Sequence, residues 1–420
     1  MTSQPLSLRL NFSWNLIGNI IYAACQWGIL IVFTKLTNVE MVGHFALGLA
    51  ITAPVILFSQ MGLRGAQATD ARDEYRFGDY LALRLIATIM ALIAIVGIAF
   101  LGGYERPTII VILLVGLSKA VESVADVFYG LMQRHERMDR IARSRIIKGI
   151  SSLIVLSLVV FITRDIKWGV LSLALLWTVV FVFYDIRSAK ATLNEYRDRL
   201  QIDDFTVFSP TPIFDMQILR RLVLTVLPLG FIQALISLKT NIPIYYIEHH
   251  CGASELGIFS SLSYLVIVGN TLVSAMSQAC VPRLSLYYAK GKRTQYHKMI
   301  YKLVAIGALI GCLGVLVAAV AGKPLLTLIY RPEYGERVVL FVLILSAGAI
   351  SYIASILGYA LMATRQFNLF LFLHLILTGI TYTASMTLIP RYGVMGAAGA
   401  GAIAQFCSCI LMIALLIRTR

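Results

Sequence analysis

The feature that most constrains this chain is a succession of apolar runs, each about the length of a bilayer crossing, joined by short polar connections. They are read at residues 12–35, 42–63, 81–101, 107–131, 147–163, 168–186, 222–248, 255–280, 300–321, 337–363, 367–389 and 394–417. A crossing helix needs roughly 20 apolar residues. With 420 residues, 59% of them hydrophobic and 14% charged, the chain has little sequence left for anything else. Lipid offers the backbone no hydrogen-bond partner, so such runs must close their own bonds as helices. The expected fold class is an all-α polytopic membrane protein of about twelve transmembrane helices. The first run, from Phe12 to Phe33, is too long for a signal-peptide core and is read as an uncleaved first span.

Charge then sets orientation. Lys and Arg number 36 against 21 Asp and Glu, a net +15, which in a soluble chain would suggest a nucleic-acid partner. Here the basic residues collect in alternate connections: around Arg64 to Arg84, Arg134 to Lys148, Arg187 to Arg221 and Arg283 to Lys302. By the positive-inside rule both termini are expected in the cytoplasm, and the charge is spent on orientation and lipid headgroups rather than on nucleic acid. The six cysteines form no CxxC pair or Cys/His cluster, so no metal or cofactor is expected.

The polar stretch 188–221, with Pro210 and Pro212, falls near the midpoint and reads as a cytoplasmic linker between an N-terminal six-helix lobe, 1–187, and a C-terminal one, 222–420. The run Gly43-His44-Phe45 has an echo in Gly257-Ile258-Phe259 half a chain later, as duplicated transporter halves would give.

Polar residues inside apolar spans are costly and locate function. In the first span Asn11, Asn15, Asn19, Tyr22 and Gln26 recur at steps of four, four, three and four, one helical face. The seventh carries Gln233, Ser237, Thr240 and Asn241, and the eighth Asn270, Ser274, Ser277 and Gln278. Such stripes are either interhelical glue or a hydrated path; their recurrence in both halves favours the path. Arg64 follows Gln60 by one turn at the end of the second span, where it either extends that polar face or snorkels to the interface. Lys119, Glu122 and Asp126, at i, i+3 and i+7, are read either as a self-neutralised cluster or as an ion-coupling site. Lys239 has no acid one turn away, and burying it costs about 3 kcal/mol on insertion scales, so it needs water, a distant carboxylate or an anionic substrate. Pro228 and Pro243 are expected to bend or break that helix. His374 heads a stripe with Thr378, Thr381 and Ser385, as a structural hydrogen-bonding group or a proton carrier.

The motifs Leu227-Pro228-Leu229-Gly230, Asn241-Ile242-Pro243, the run from Gly257 to Tyr264, Pro282-Arg283-Leu284, Gly62-Leu63-Arg64 and the run from Arg391 to Ala398 together resemble the Wzx-type oligosaccharide flippases of polysaccharide biosynthesis, relatives of the MATE exporters and the lipid II flippase. The likeness covers nearly the whole chain. It implies two six-helix lobes around a central cavity, in a bacterial or archaeal cytoplasmic membrane, that flip an undecaprenyl-diphosphate-linked oligosaccharide outward by alternating access. Its partners would be that substrate, membrane lipids and other polysaccharide-assembly proteins. In such sequences a basic residue often follows the Asn-Ile-Pro element, where this chain has Ile244; a cavity cation must then come from elsewhere. Arg64 and Lys239 are the candidate diphosphate anchors, with Asn15, Asn19, Gln26, Gln233, Ser237, Asn241, Asn270, Ser274 and Gln278 lining a sugar path.

Two other classes compete. A MATE-like ion-coupled exporter would want a carboxylate-dominated cavity, and Glu122 and Asp126 are the clear intramembrane acids, both near Lys119. A polymerase or glycosyltransferase would want a convergent acid, base or metal site at one interface; Asp203-Asp204 sits in the midpoint linker instead. Coupling to H⁺ or Na⁺ through Glu122, Asp126 or His374 stays open, and no GxxxxGK[ST] run is present to bind ATP.

Overall fold

A computed structural model describes residues 8–70, 74–200, 211–364 and 367–418, and the described residues contain helices and turns but no strand. The helices are α1 (Leu8–Leu36), α2 (Val39–Gln60), α3 (Leu63–Thr69), α4 (Phe77–Leu101), α5 (Arg106–Arg134), α6 (Met138–Thr163), α7 (Ile166–Val180), α8 (Ile186–Leu200), α9 (Met216–Ala289), α10 (Arg293–Ile329), α11 (Pro332–Gly335), α12 (Val338–Met362) and α13 (Phe367–Arg418). Among the described residues ten helices are long and apolar enough to cross a membrane. Two of these spans, Met216–Gln278 and Leu369–Ile417, hold 63 and 49 residues. At 1.5 Å per residue that is about 95 and 74 Å, more than twice a hydrocarbon core of roughly 30 Å. Each bends at one non-helical glycine, Gly252 (φ 81°) in α9 and Gly393 (φ 57°) in α13, so that each covers two of the expected apolar runs.

The outward faces are those of a protein in lipid. On α4 the side chains Ile89, Ile93, Val96 and Phe100, at steps of four, three and four, are all exposed. A water-soluble fold would bury such a stripe. The chain is a multi-pass membrane protein.

It divides into two compact units, one of Met1–Thr37 and Gly48–Ser237, the other of Asn38–Leu47 and Leu238–Arg420. In the first unit Phe128 packs edge to face with both Phe77 and Phe181, at 5.2 Å between ring centroids in each case. A π-helical turn, Phe181–Asp185, joins α7 to α8. The beginning of the expected linker is thus a docked helix rather than a loose connection. Arg140 donates to Glu195 at 2.5 Å and to Thr192 at 2.6 Å, Arg137 also reaches Glu195, and His135 lies against Tyr196. The hydrogen bonds and charge of Asp139, with those of Glu195, push the Arg137 guanidinium above its ordinary pKa. Asp203, Asp204 and Pro210 lie outside the described residues; beyond them Ile213 N–H donates to the Gly78 carbonyl at 3.0 Å.

The second unit explains the internal echo. A Cβ on Gly43 would stand 1.9 Å from the Ala253 carbonyl oxygen, and one on Gly257 2.2 Å from that of Val39 and 3.1 Å from Gly43 N. The two repeated glycines are the small residues at one close backbone crossing. Gly43→Ala or Gly257→Ala is expected to lower stability by about 2 kcal/mol or more, because backbone atoms must yield. Gly314→Ala, with nothing within 4 Å of the new methyl, serves as the neutral control in thermal unfolding.

Candidate substrate site among buried charges

In the first unit the charged side chains gather between helices. After α2, Met61 (φ 48°) and Gly62 (φ 60°) turn the chain in the left-handed region and α3 starts anew. Arg64 is therefore on a separate short helix rather than on the polar face of the second span. Its Nε donates to Gln133 at 2.9 Å and its Nη1 to Asp126 at 3.3 Å. Arg84, from α4, is wholly buried; its Nη2 lies 3.6 Å from the other oxygen of Asp126 and its Nη1 donates to Ser123 at 3.3 Å. One carboxylate thus serves two guanidiniums, and Arg84 Nε and Nη2 have no hydrogen-bond acceptor among the described residues.

The expected stripe of Lys119, Glu122 and Asp126 separates into two parts. Lys119 pairs with Glu122 at 2.8 Å, and Tyr22 donates to the same carboxylate at 3.5 Å. Asp126 lies one turn further along α5, where α3 and α4 supply its arginines instead. A third group comes from α6, which begins earlier than the apolar run suggests and carries Arg145 and Lys148 within it. Lys148 is buried against Asp185 at 2.6 Å and donates to Tyr129 at 2.7 Å, while Ser144 donates to Asp185 at 2.5 Å. The π-helical turn aims Asp185 at this pair; π-bulges frequently mark functional positions.

Arg145 differs from the others. Its guanidinium donates to the amide oxygen of Asn19, which in turn donates to Asn15 at 3.2 Å, and no carboxylate pairs with it among the described residues. Asn11 accepts from Met138 N–H at 3.1 Å, so two members of the α1 stripe, Asn11 and Asn19, bond to α6. The Tyr129 ring has Arg64 at 5.7 Å, Arg145 at 5.9 Å and Lys148 at 5.1 Å from its centroid. Five cations (Arg64, Arg84, Lys119, Arg145, Lys148) thus meet three carboxylates (Glu122, Asp126, Asp185), leaving two positive charges uncompensated.

In the second unit α9 keeps helical geometry through Pro243 and leaves it only at Gly252. The expected break near Lys239 is absent because the missing proline N–H frees a single carbonyl, which a membrane helix tolerates. Lys239 is half-buried and has no carboxylate partner among the described residues, and its charge reaches His374. His374 bonds through Nδ1 to the Phe370 carbonyl at 2.8 Å and lies against the Phe370 ring, while Thr378 and Thr381 donate to carbonyls of their own helix. Of the other expected lining residues, Gln278 donates to Tyr359 at 3.0 Å. Gln26 Nε2 and Asn270 Oδ1 are buried without a hydrogen-bond partner among the described residues; Ser237 is buried, and Gln233, Asn241 and Ser274 are half-buried.

Residues 8–288 match the family model described as polysaccharide biosynthesis protein. The chain belongs to the polysaccharide biosynthesis protein family. It is 30% identical over 403 residues to the capsular polysaccharide biosynthesis protein CapF of Staphylococcus aureus, covering 95% of this chain and 97% of that one. Solved structures similar to it include the lipid II flippase MurJ in an inward closed conformation, with a TM-score of 0.75 at 10% identity over 96% of this chain and 87% of that one. A MATE family multidrug resistance transporter of the MOP superfamily, inward-facing, gives 0.72 at 13% over 99% and 95%. This member of the polysaccharide biosynthesis family therefore has the MATE and MurJ type of transporter fold.

Sequence reasoning placed Arg84, Arg145 and Lys148 of this family member among its cytoplasmic basic residues and gave Asp185 no role. The available signal was their setting: Ile141-Ala142, Ile146-Ile147 and Gly149-Ile150 extend the apolar pattern of α6 around Arg145 and Lys148, and Asp185 closes the otherwise apolar run 168–186.

Proposed function

We propose that the protein flips a lipid-linked oligosaccharide, carried on undecaprenyl diphosphate, from the cytoplasmic to the outer leaflet of the cell membrane for surface polysaccharide assembly, by alternating access and without catalysing a covalent step. The observation that carries this reading is the surplus of two cations among the interhelical charges of the first unit, with Lys239 of the second a further cation that has no carboxylate partner among the described residues. A diphosphate diester bears one negative charge on each phosphate, and guanidinium forks are suited to taking such groups out of water. The amide-rich face of α1 beside Arg145 offers donors and acceptors to sugar hydroxyls, while the prenyl chain needs only lipid. A cationic drug, the cargo a MATE-like exporter would carry, meets repulsion from the same surplus.

In this reading both termini are cytoplasmic, which the positive-inside rule applied to the basic connections supports. An inside-negative potential favours outward movement of the anionic headgroup by about 2.3 kcal/mol per charge per 100 mV, so neither ATP nor a coupling ion is required by the energetics.

The experiment is an outer-leaflet exposure assay for lipid-linked sugar in cells carrying either the wild-type gene or a deletion. The deletion is expected to leave lipid-linked repeat units on the inner leaflet and to reduce surface polysaccharide; unchanged exposure with altered drug tolerance would sink the reading in favour of an exporter. Within the same assay Lys239→Gln is expected to slow flipping about tenfold, the value of a charge-assisted hydrogen bond of roughly 1.5 kcal/mol. Normal flipping at normal protein level would exclude Lys239 as a substrate-binding group.

A further inference from the structure

No Asp or Glu occurs between Glu255 and Glu333 or anywhere after Glu336. Within this acid-free sequence α9 ends at Ala289, Gly291 (φ 67°) makes a tight turn, and α10 begins at Arg293. Lys290 and Lys292 on the turn, with Lys298 and Lys302 on the first turns of α10, are exposed. None of the four pairs with a carboxylate among the described residues. The Arg293 guanidinium lies 4.0 Å from the Tyr288 ring centroid and Tyr301 is exposed, so basic and aromatic side chains interleave as they do where a helix leaves a bilayer. The first unit handles its corresponding charges differently, with Arg137 and Arg140 both bonded to Glu195.

What lies beyond the lysines identifies the partner. Lys298, Lys302, Ile306, Leu309, Leu313 and Val320 follow one another at helical spacing and share one face of α10, and the four apolar members are exposed. From Lys302 to Leu313 the helix rises about 16 Å, close to the roughly 15 Å depth of one hydrocarbon leaflet. A purely aqueous acidic partner has no use for the apolar continuation. A phospholipid has both parts, an anionic headgroup and acyl chains that extend from it into the bilayer.

We propose that this face of α10 is a binding site for an anionic bilayer phospholipid, its phosphate held by Lys298 and Lys302 with Lys290 and Lys292 flanking, and its chains laid along Ile306, Leu309 and Leu313. The site is separate from the buried charges assigned to substrate, and its occupant is a bilayer component rather than cargo.

The test is lipid retention by the purified full-length protein, read by native mass spectrometry from micelles holding equal phosphatidylglycerol and phosphatidylcholine. Wild type is expected to keep phosphatidylglycerol about tenfold in preference, a preference that weakens at about 1 M salt, where charges are screened beyond about 3 Å. Lys298→Gln with Lys302→Gln should bring retention near parity, and Lys298→Arg with Lys302→Arg should keep the preference. Thermal midpoints in phosphatidylcholine alone should agree among all three. Parity in wild type, or an undiminished preference in the glutamine variant, would overturn the assignment. So would parity in wild type accompanied by salt-sensitive binding of an acidic peptide to the same lysines, which would make the surface a protein-docking one.

Discussion

Arg145→Gln is expected to reduce flipping of the lipid-linked oligosaccharide by about 10- to 100-fold, the equivalent of losing a charged hydrogen-bond donor worth roughly 1.5–3 kcal/mol, while the protein melts no lower than wild type. The two halves of that result have one cause. Arg145 is held by the Asn19 amide rather than by a carboxylate, and it faces the same Tyr129 ring as Arg64 and Lys148. Arg64 repels its charge and Asp126 offsets that only from a distance, so removing the guanidinium strands no paired carboxylate. Only an arriving anion makes that charge favourable, which is how a binding group trades stability for function. Arg145→Lys keeps the charge without the planar fork and should fall between the two. The readouts are outer-leaflet exposure of lipid-linked sugar and the thermal midpoint of the purified protein. A variant that flips normally would exclude Arg145 from the substrate path. One that flips poorly but also melts well below wild type would reassign it to a structural role.

This asymmetry bears on what could be read in the sequence. The membrane class, the apolar runs and the family resemblance rest on hydrophobic run length and local motifs, properties that neighbouring residues carry together. The paired glycines, Gly43 and Gly257, were visible as an echo, but their meaning depends on a backbone crossing between segments far apart in sequence. Charge partners were least legible. Spacing along α5 put Lys119, Glu122 and Asp126 on one stripe, yet Asp126 is claimed by Arg64 and Arg84 from two other helices. A loop count of basic residues also cannot distinguish Arg137, outside α6, from Arg145, two turns inside it. Helix periodicity fixes a side chain's direction around its own axis, whereas the identity of the group it meets is a property of packing.

Asp185→Asn is expected to be the most destabilising single change among the buried charges, by about 3–5 kcal/mol, because it strands Lys148 without its counter-ion. Both partners are almost fully buried, the pair is 2.6 Å apart, and Tyr129 and Ser144 complete its hydrogen bonds. Unlike Arg145, this pair is neutral as a unit, so an arriving anion gains little from it. Its geometry depends on the π-helical turn that brings Asp185 to α6, and losing the carboxylate loosens that turn. Lys148→Met alone should also destabilise, since Ser144 and Tyr129 are then left facing an unpaired carboxylate. The double variant, Lys148→Met with Asp185→Leu, should recover much of the loss, because well-packed apolar groups can replace a buried ion pair at little cost. Measured as a double-mutant cycle in thermal unfolding, with Asp185→Leu as the matching single variant, the coupling should be large and favourable. Additive losses would show instead that each charge is satisfied independently, and would dissolve the pair as a structural unit. Residual flipping by the double variant, once its fold is restored, would separate this structural pair from the uncompensated cations proposed to carry the substrate.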